Sequence, residues 1–205
     1  MTIVVHNNDL PSDFSYSSSV AIDVESTGLH LHRDRLCVVQ MYCGDGGSVH
    51  LVQIDKDQKD APVLCKILAD KDCLKIFHFG RFDIAMLYKQ FNILANPVYC
   101  TKIASKIART YSQSHGLKAL CRELLGVDLN KVSQCSYWGR ELLTKDQQRY
   151  AASDVLYLHR LKLELDRMMQ REGRDGFCSA CCEFLPSLVS LDIAGWEGER
   201  VFSHD

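Results

Sequence analysis

The sequence predicts an α/β fold, a mixed sheet whose first three strands are antiparallel, flanked by helices. Three observations carry this. Residues 19–54 contain three consecutive strand-like runs joined by short connections. From residue 58 onward strands alternate with helices. The second half carries apolar residues at helical spacing with recognisable caps.

The elements follow in order. "SVAIDVES" (19–26) alternates apolar and polar residues, as a half-buried strand does. "RLCVVQMYC" (35–43) and "SVHLVQI" (48–54) are separated by the turn "GDGG" (44–47), giving an antiparallel meander. "APVLCKILAD" is helical, "CLKIFHF" is a buried strand, and "RFDIAMLYKQF" is a helix with Asp83 in its first turn. "NPVYC" is a short strand leading into the helix "TKIASKIARTY". "HGLKALCRELLG" is amphipathic and closes on Gly126, a C-cap that tolerates the left-handed conformation. "TKDQ" (144–147) matches a capping box, so Thr144 starts one long helix carrying Tyr150 and Asp154. A last helix covers about 173–190, and the tail "GWEGERVFSHD" reads as irregular.

Composition bounds the function. The 205 residues suit a single domain, with about 172–205 as a C-terminal helical extension. A net charge of −2 and a pI near 6.4 argue against a broad basic face for long nucleic acid, but allow a short strand held at one place. No apolar run reads as a membrane span, and the N-terminus lacks the basic and apolar regions of a signal peptide, which implies a cytoplasmic protein. Of ten cysteines, Cys37, Cys43, Cys65, Cys73, Cys100, Cys121 and Cys135 are scattered singly, as small buried hydrophobes would be. "CSACC" (178–182) has no second ligand pair at zinc spacing, so packing of the last helix accounts for it better than a metal.

Four acids fall in awkward places. Val20, Ile22 and Val24 point to one side of the first strand and Asp23 and Glu25 to the other, about 7 Å apart along it. Two like charges at a strand end repel unless a cation lies between them, although two solvated acids on an exposed face explain the pattern equally well. Asp83 is favoured by the helix dipole. Asp154 heads an apolar stripe with Leu158, Leu161 and Leu165, where an uncompensated charge is costly. Tyr150, four residues earlier, shares its face. Oxygen ligands of this kind suit Mg²⁺ or Mn²⁺, and two such ions about 4 Å apart support phosphodiester hydrolysis.

"DVESTGL" (23–29), "HFGRFDIAML" (78–87) and "YAASDVLYLHRL" (150–161) resemble, in order, the D-x-E, D and Y-x(3)-D motifs of the DEDDy branch of 3′→5′ exonucleases. The stretches "HGLKALCRELLGVDLNK" and "SYWGRELLTKDQQRYAASDV" resemble ribonuclease D between its motifs. The similarity spans residues 18–170 and is greatest to the short, single-domain nanoRNase C group, which lacks the extra C-terminal RNA-binding domains of ribonuclease D. It implies a ribonuclease H-like (DnaQ-like) fold and two divalent cations held by Asp23, Glu25, Asp83 and Asp154, with Tyr150 orienting the attacking water. The implied substrates are very short single-stranded RNA, including dinucleotides such as pGpG and pApA, cut to nucleoside 5′-monophosphates, with short DNA as a secondary substrate. The implied assembly is a homo-octamer, for which Phe177, Phe184, Leu185, Leu188 and Trp196 are the apolar candidates against a role in completing the monomer core.

Substrate contacts are less sharply marked. By the same resemblance Leu29, after Thr27 and Gly28, is a wedge between bases, though a core leucine fits the local pattern as well. Arg109, Ser112, His115 and Lys118 precede a helix and suit a terminal phosphate, or simply a solvated capping loop. His78 contacts the nucleotide or is a satisfied strand-end histidine, and Trp138 stacks a base or packs. Competing functions are ribonuclease D-like trimming of longer RNA, a DNA 3′→5′ exonuclease, and a catalytically silent nucleic-acid-binding protein.

Overall fold

The computed structural model describes residues 2–44, 46–129, 136–196 and 200–204. Cys135, Asp45 of the "GDGG" turn, the end of "DLNK" and residues 197–199 of the tail lie outside the described residues. Six strands form one sheet: β1 (Ile3–Asn7), β2 (Ser19–Ser26), β3 (Leu36–Tyr42), β4 (Val49–Gln53), β5 (Leu74–Phe77) and β6 (Val98–Cys100). Their spatial order is β1-β4-β3-β2-β5-β6. The expected meander is present, with β2–β3 and β3–β4 antiparallel. β5 and β6 extend the sheet parallel to β2, so the fold is the mixed α/β sheet that the sequence predicts. β1 was not anticipated: "IVVHN" pairs parallel with β4 at the sheet edge, where its β-branched residues suit a strand.

The helices are α1 (Pro62–Ala69), α2 (Arg81–Phe91), α3 (Thr101–Ala108), α4 (Leu117–Leu125), α5 (Lys145–Leu156), α6 (Leu158–Arg171) and α7 (Asp175–Ile193), followed by a 3₁₀ turn at Arg200–Phe202. Gly126 is left-handed at the end of α4, and its N–H reaches back to Arg122 and Cys121 carbonyls. Thr144 and Gln147 form the reciprocal capping box of α5. The long helix expected beyond Thr144 is two, because the chain breaks at Tyr157 between α5 and α6. The stripe is therefore discontinuous. Leu158, Leu161 and Leu165 are buried on α6, whereas the buried side of α5 is Gln147, Ala151, Ala152 and Val155. Small residues at 151 and 152 let α5 lie close on β2, β3 and β4.

α7 corrects the reading that no segment is long and apolar enough for a membrane. It has 19 residues with a mean hydropathy of 1.3 over its most apolar window, which meets the length and composition of a span. In the fold it packs on α2, α3 and β6 through Cys178, Cys182, Leu185, Pro186 and Val189. Cys182 Sγ accepts the Cys100 N–H at 3.4 Å, and Asp192 pairs with Arg81 at 2.6 Å. Leu185 belongs to the core and Leu188 is half-buried, while Phe177, Phe184 and Trp196 remain exposed. The described singly scattered cysteines (Cys37, Cys43, Cys65, Cys73, Cys100 and Cys121) are buried or half-buried, and Cys181 alone of the described thiols is exposed.

Candidate active site

Burial and pairing place the acids. Asp23 and Glu25 leave β2 on one side, next to a register shift between Glu25 and Ser26 that bends the strand at its C-terminal end. Tyr150 and Asp154 reach the same place from α5. Carboxylate oxygens of Asp23, Glu25 and Asp154 lie within 4.8 Å of one another. Asp83, buried in the first turn of α2, accepts the Val24 N–H at 3.2 Å, which fastens the helix start to β2. The four acids expected from the sequence thus meet at the end of β2, and the tyrosine meets them there.

Their electrostatics show the cost. Burial, then the charges of Asp83, Asp154 and Glu25, push the Asp23 carboxyl well above the usual carboxylate range. Burial and the charges of Asp154 and Asp83 push Glu25 up to about 9. Asp83 rises to about 7 by burial, opposed by the backbone N–H bonds it accepts. Burial and the same acids, with a hydrogen bond to Asp154, hold the Tyr150 phenol above its ordinary value, so it keeps its proton at neutral pH. Such a group of hard oxygen donors, mutually repelling when ionised, fits divalent cations such as Mg²⁺.

A pH prediction follows. Unfolded carboxyls titrate near about 4, so the raised folded values contribute stability that is complete below that pH. This stability is lost as pH rises through about 7 for Asp83 and about 9 for Glu25. The melting temperature of cation-free protein therefore falls between pH 5 and 9. Added Mg²⁺ raises it more at pH 8 than at pH 5, as thermal melts with chelator and with Mg²⁺ will show. Equal increments at both pH values contradict it.

One residue at the site escaped sequence reasoning. Gln40 pairs across the sheet with Asp23 and is fully buried, and its Nε2 donates to Asp23 Oδ2 at 3.3 Å. Its signal was available: one amide inside the otherwise apolar run "LCVVQMY".

The candidate substrate residues divide. Thr27 Oγ1 accepts the Arg35 N–H at 3.1 Å, and Thr27 is exposed in the loop after β2. Gly28 lies close against Asp34, whose Oδ2 would be 2.5 Å from an added Cβ, so a larger residue there would have to displace that carboxylate. Leu29 is 85% exposed, which removes the core-leucine reading. His78 follows β5, with Nδ1 2.9 Å from Thr101 Oγ1, and burial beside Lys102 pushes it down to about 3, so it is neutral. His115 Nδ1 lies 2.9 Å from Ser105 Oγ, and Lys118 is half-buried at the start of α4. Two expectations need correction. Arg109 is fully buried and donates to Ser105, Ser112, Ser114 and Glu123, so its guanidinium is spent inside the loop, with Ser112 as one of its acceptors. Trp138 is 3% exposed with its ring 6.0 Å from that of Tyr150. It packs behind the tyrosine and offers no face for a base.

Fold and site together define a 3′-5′ exonuclease of the DnaQ-like type, and the comparisons agree. A family model described as 3′-5′ exonuclease matches residues 4–170, and the chain belongs to that family. It is 30% identical over 181 residues to ribonuclease D of Nitrobacter hamburgensis, a match covering 87% of this chain and 47% of that protein. The chain thus spans about half the length of the ribonuclease D relatives it matches. It is also similar, over the full length of both chains, to Brucella melitensis NrnC, or nanoRNase C, bound to pGG, with a TM-score of 0.95 and 51% identity. The same Brucella protein with bound Mg²⁺ matches at a TM-score of 0.94 and 50% identity.

Proposed function

We propose that the chain is a single-domain, metal-dependent 3′→5′ exoribonuclease that hydrolyses very short RNA, including dinucleotides, to nucleoside 5′-monophosphates. The observation that carries this is the convergence of Asp23, Glu25 and Asp154 within 4.8 Å, with Asp83 and Tyr150 beside them. The short substrate is supported by full-length similarity at 51% identity to a protein solved with pGG, and by a net charge of −2, which suits no long nucleic-acid track.

Asp23, Glu25, Asp83 and Asp154 are the residues that would hold two divalent cations. When bound, such ions supply Lewis acidity that lowers the pKa of a water and stabilises the leaving oxygen. The chain's own residues do the positioning. Gln40 fixes the Asp23 carboxylate and the Val24 N–H fixes Asp83. Tyr150, still protonated, orients the attacking water rather than removing its proton. Leu29, projecting from the loop after β2, is the wedge against the terminal base, with Thr27 and Gly28 shaping that loop. Neutral His78 contacts the nucleotide through hydrogen bonding, not charge. His115 and Lys118 remain the candidates for the terminal phosphate, in a loop that Arg109 holds from within.

A length series of 5′-labelled RNA from two nucleotides upward, with Mg²⁺, tests the reading. Dinucleotide is expected to be cut fastest and chelator to stop all cleavage. Markedly faster cutting of longer RNA would favour ribonuclease D-like trimming instead. The exposed Phe177, Phe184 and Trp196 support a homo-oligomer. Light scattering is expected to give a mass several times 23.3 kDa, and a clean monomer removes that part of the proposal.

A further inference from the structure

Phe79 combines three properties that the described site does not use. Its backbone is left-handed at φ 67°, a conformation that costs a bulky L-residue energy and that glycine or asparagine adopts more readily. Its side chain is 53% exposed, so core packing does not account for its retention. The Lys102 ammonium lies 3.7 Å from the ring centroid, which fixes the ring and occupies one of its faces.

Its position is also specific. Phe79 stands two residues past the end of β5, the strand beside β2, and four before Asp83. β5 and β6 run parallel to β2 and end level with one another beside Ile22, one residue before Asp23, and the carboxyl edge of parallel strands is where α/β sheets bind ligands. The turn is tightly built: Gly80 is required because a Cβ would lie 2.6 Å from Phe77 Cβ. The Cys100 thiol sits among the backbone N–H groups of Phe79, Gly80, Lys102 and Ile103, tying the turn to the start of α3. The exposed ring thus stands just past the C-terminal end of β5, the neighbour of the strand that carries Asp23 and Glu25.

We propose that Phe79 is a base-stacking platform for the bound nucleotide, with Lys102 clamping the opposite face of the ring. This rests on the exoribonuclease reading and adds to it a residue that recognises a base without reading its sequence, since every base has a π-face. Strain kept at an exposed aromatic is explained if the ring is needed there.

The test compares wild type, Phe79→Asn and Phe79→Trp. Asparagine keeps the left-handed backbone and removes the ring, whereas tryptophan keeps a stacking surface. Binding of 5′-phosphorylated ApA is measured with Ca²⁺ in place of Mg²⁺ to slow turnover, alongside the two singly abasic versions. Phe79→Asn is expected to weaken binding by about tenfold or more and Phe79→Trp by less than about threefold, with Phe79→Asn melting at or above wild type. The tenfold loss should vanish on one abasic probe, the one lacking the stacked base. Binding by Phe79→Asn within twofold of wild type overturns the proposal, as does a loss that persists on both abasic probes. Wild type that binds the dinucleotide but does not cleave it with Mg²⁺ removes the exoribonuclease reading, while the Asn-to-Trp comparison still decides stacking. Wild type that does not bind it overturns both.

Discussion

Asp154→Asn is expected to lower dinucleotide hydrolysis by about a thousandfold, or about 4 kcal/mol of barrier, while raising the melting temperature of cation-free protein. Both effects come from one carboxylate. Asp154 shares a 4.8 Å cluster with Asp23 and Glu25, and its charge helps push both of their carboxyls upward. Asparagine preserves shape and removes that charge, so the remaining acids ionise at less cost. A relief of about 1 kcal/mol corresponds to about 2–4 °C in a chain of this size. The same change removes a hard anionic donor from the group that fits a cation. The increment in melting temperature on adding Mg²⁺ should therefore shrink even as the baseline rises. Opposed signs in stability and activity distinguish a functional carboxylate from a structural one. Loss of both together would show that Asp154 supports the fold, and less than a tenfold loss of activity would remove it from the proposed machinery.

The sheet and the acid cluster were legible because both rest on local chemistry. Period-2 alternation put Asp23 and Glu25 on one side of β2, and the Thr144–Gln147 box fixed the start of α5 and so the facing of Tyr150 and Asp154. What escaped depends on contacts distant in sequence. β1 becomes a strand through its parallel pairing with β4, more than forty residues away. The break at Tyr157 lies within a pattern that remains helical on both sides, so periodicity ran through it. Trp138 and Arg109 have side chains that serve substrates and cores equally well, and only their burial decides between the two. Phe79 was hidden by its own motif: "HFGRFD" drew attention to Asp83, and a left-handed φ at phenylalanine has no sequence signature.

Arg109→Met is expected to destabilise the fold by about 2–4 kcal/mol, with activity following through the loop rather than through lost substrate contact. Arg109 is fully buried and its guanidinium closes the segment between α3 and α4 by donating to Ser105 Oγ at 3.0 Å, Ser114 O at 2.7 Å and Ser112 Oγ at 3.3 Å. It also pairs with Glu123 on α4, whose carboxyl the guanidinium, with help from Tyr111, holds below its usual range. Methionine fills most of the volume but donates nothing, so buried Ser105 Oγ loses a donor and the Ser112 and Ser114 acceptors lose their tie to α3. Glu123 is 40% exposed and regains water, so the ion pair itself contributes only a minor share of the loss. Most of it comes from the serine acceptors. Thermal or urea unfolding measures the destabilisation, and Glu123→Gln, which keeps an acceptor and removes the charge, is expected to cost less than about 1 kcal/mol. The two roles available to an arginine in this loop give opposite rankings. A phosphate-binding arginine would lose substrate affinity with little change in stability, whereas the buried clamp loses stability first. An Arg109→Met variant that melts within a degree of wild type but binds dinucleotide weakly would return Arg109 to the substrate.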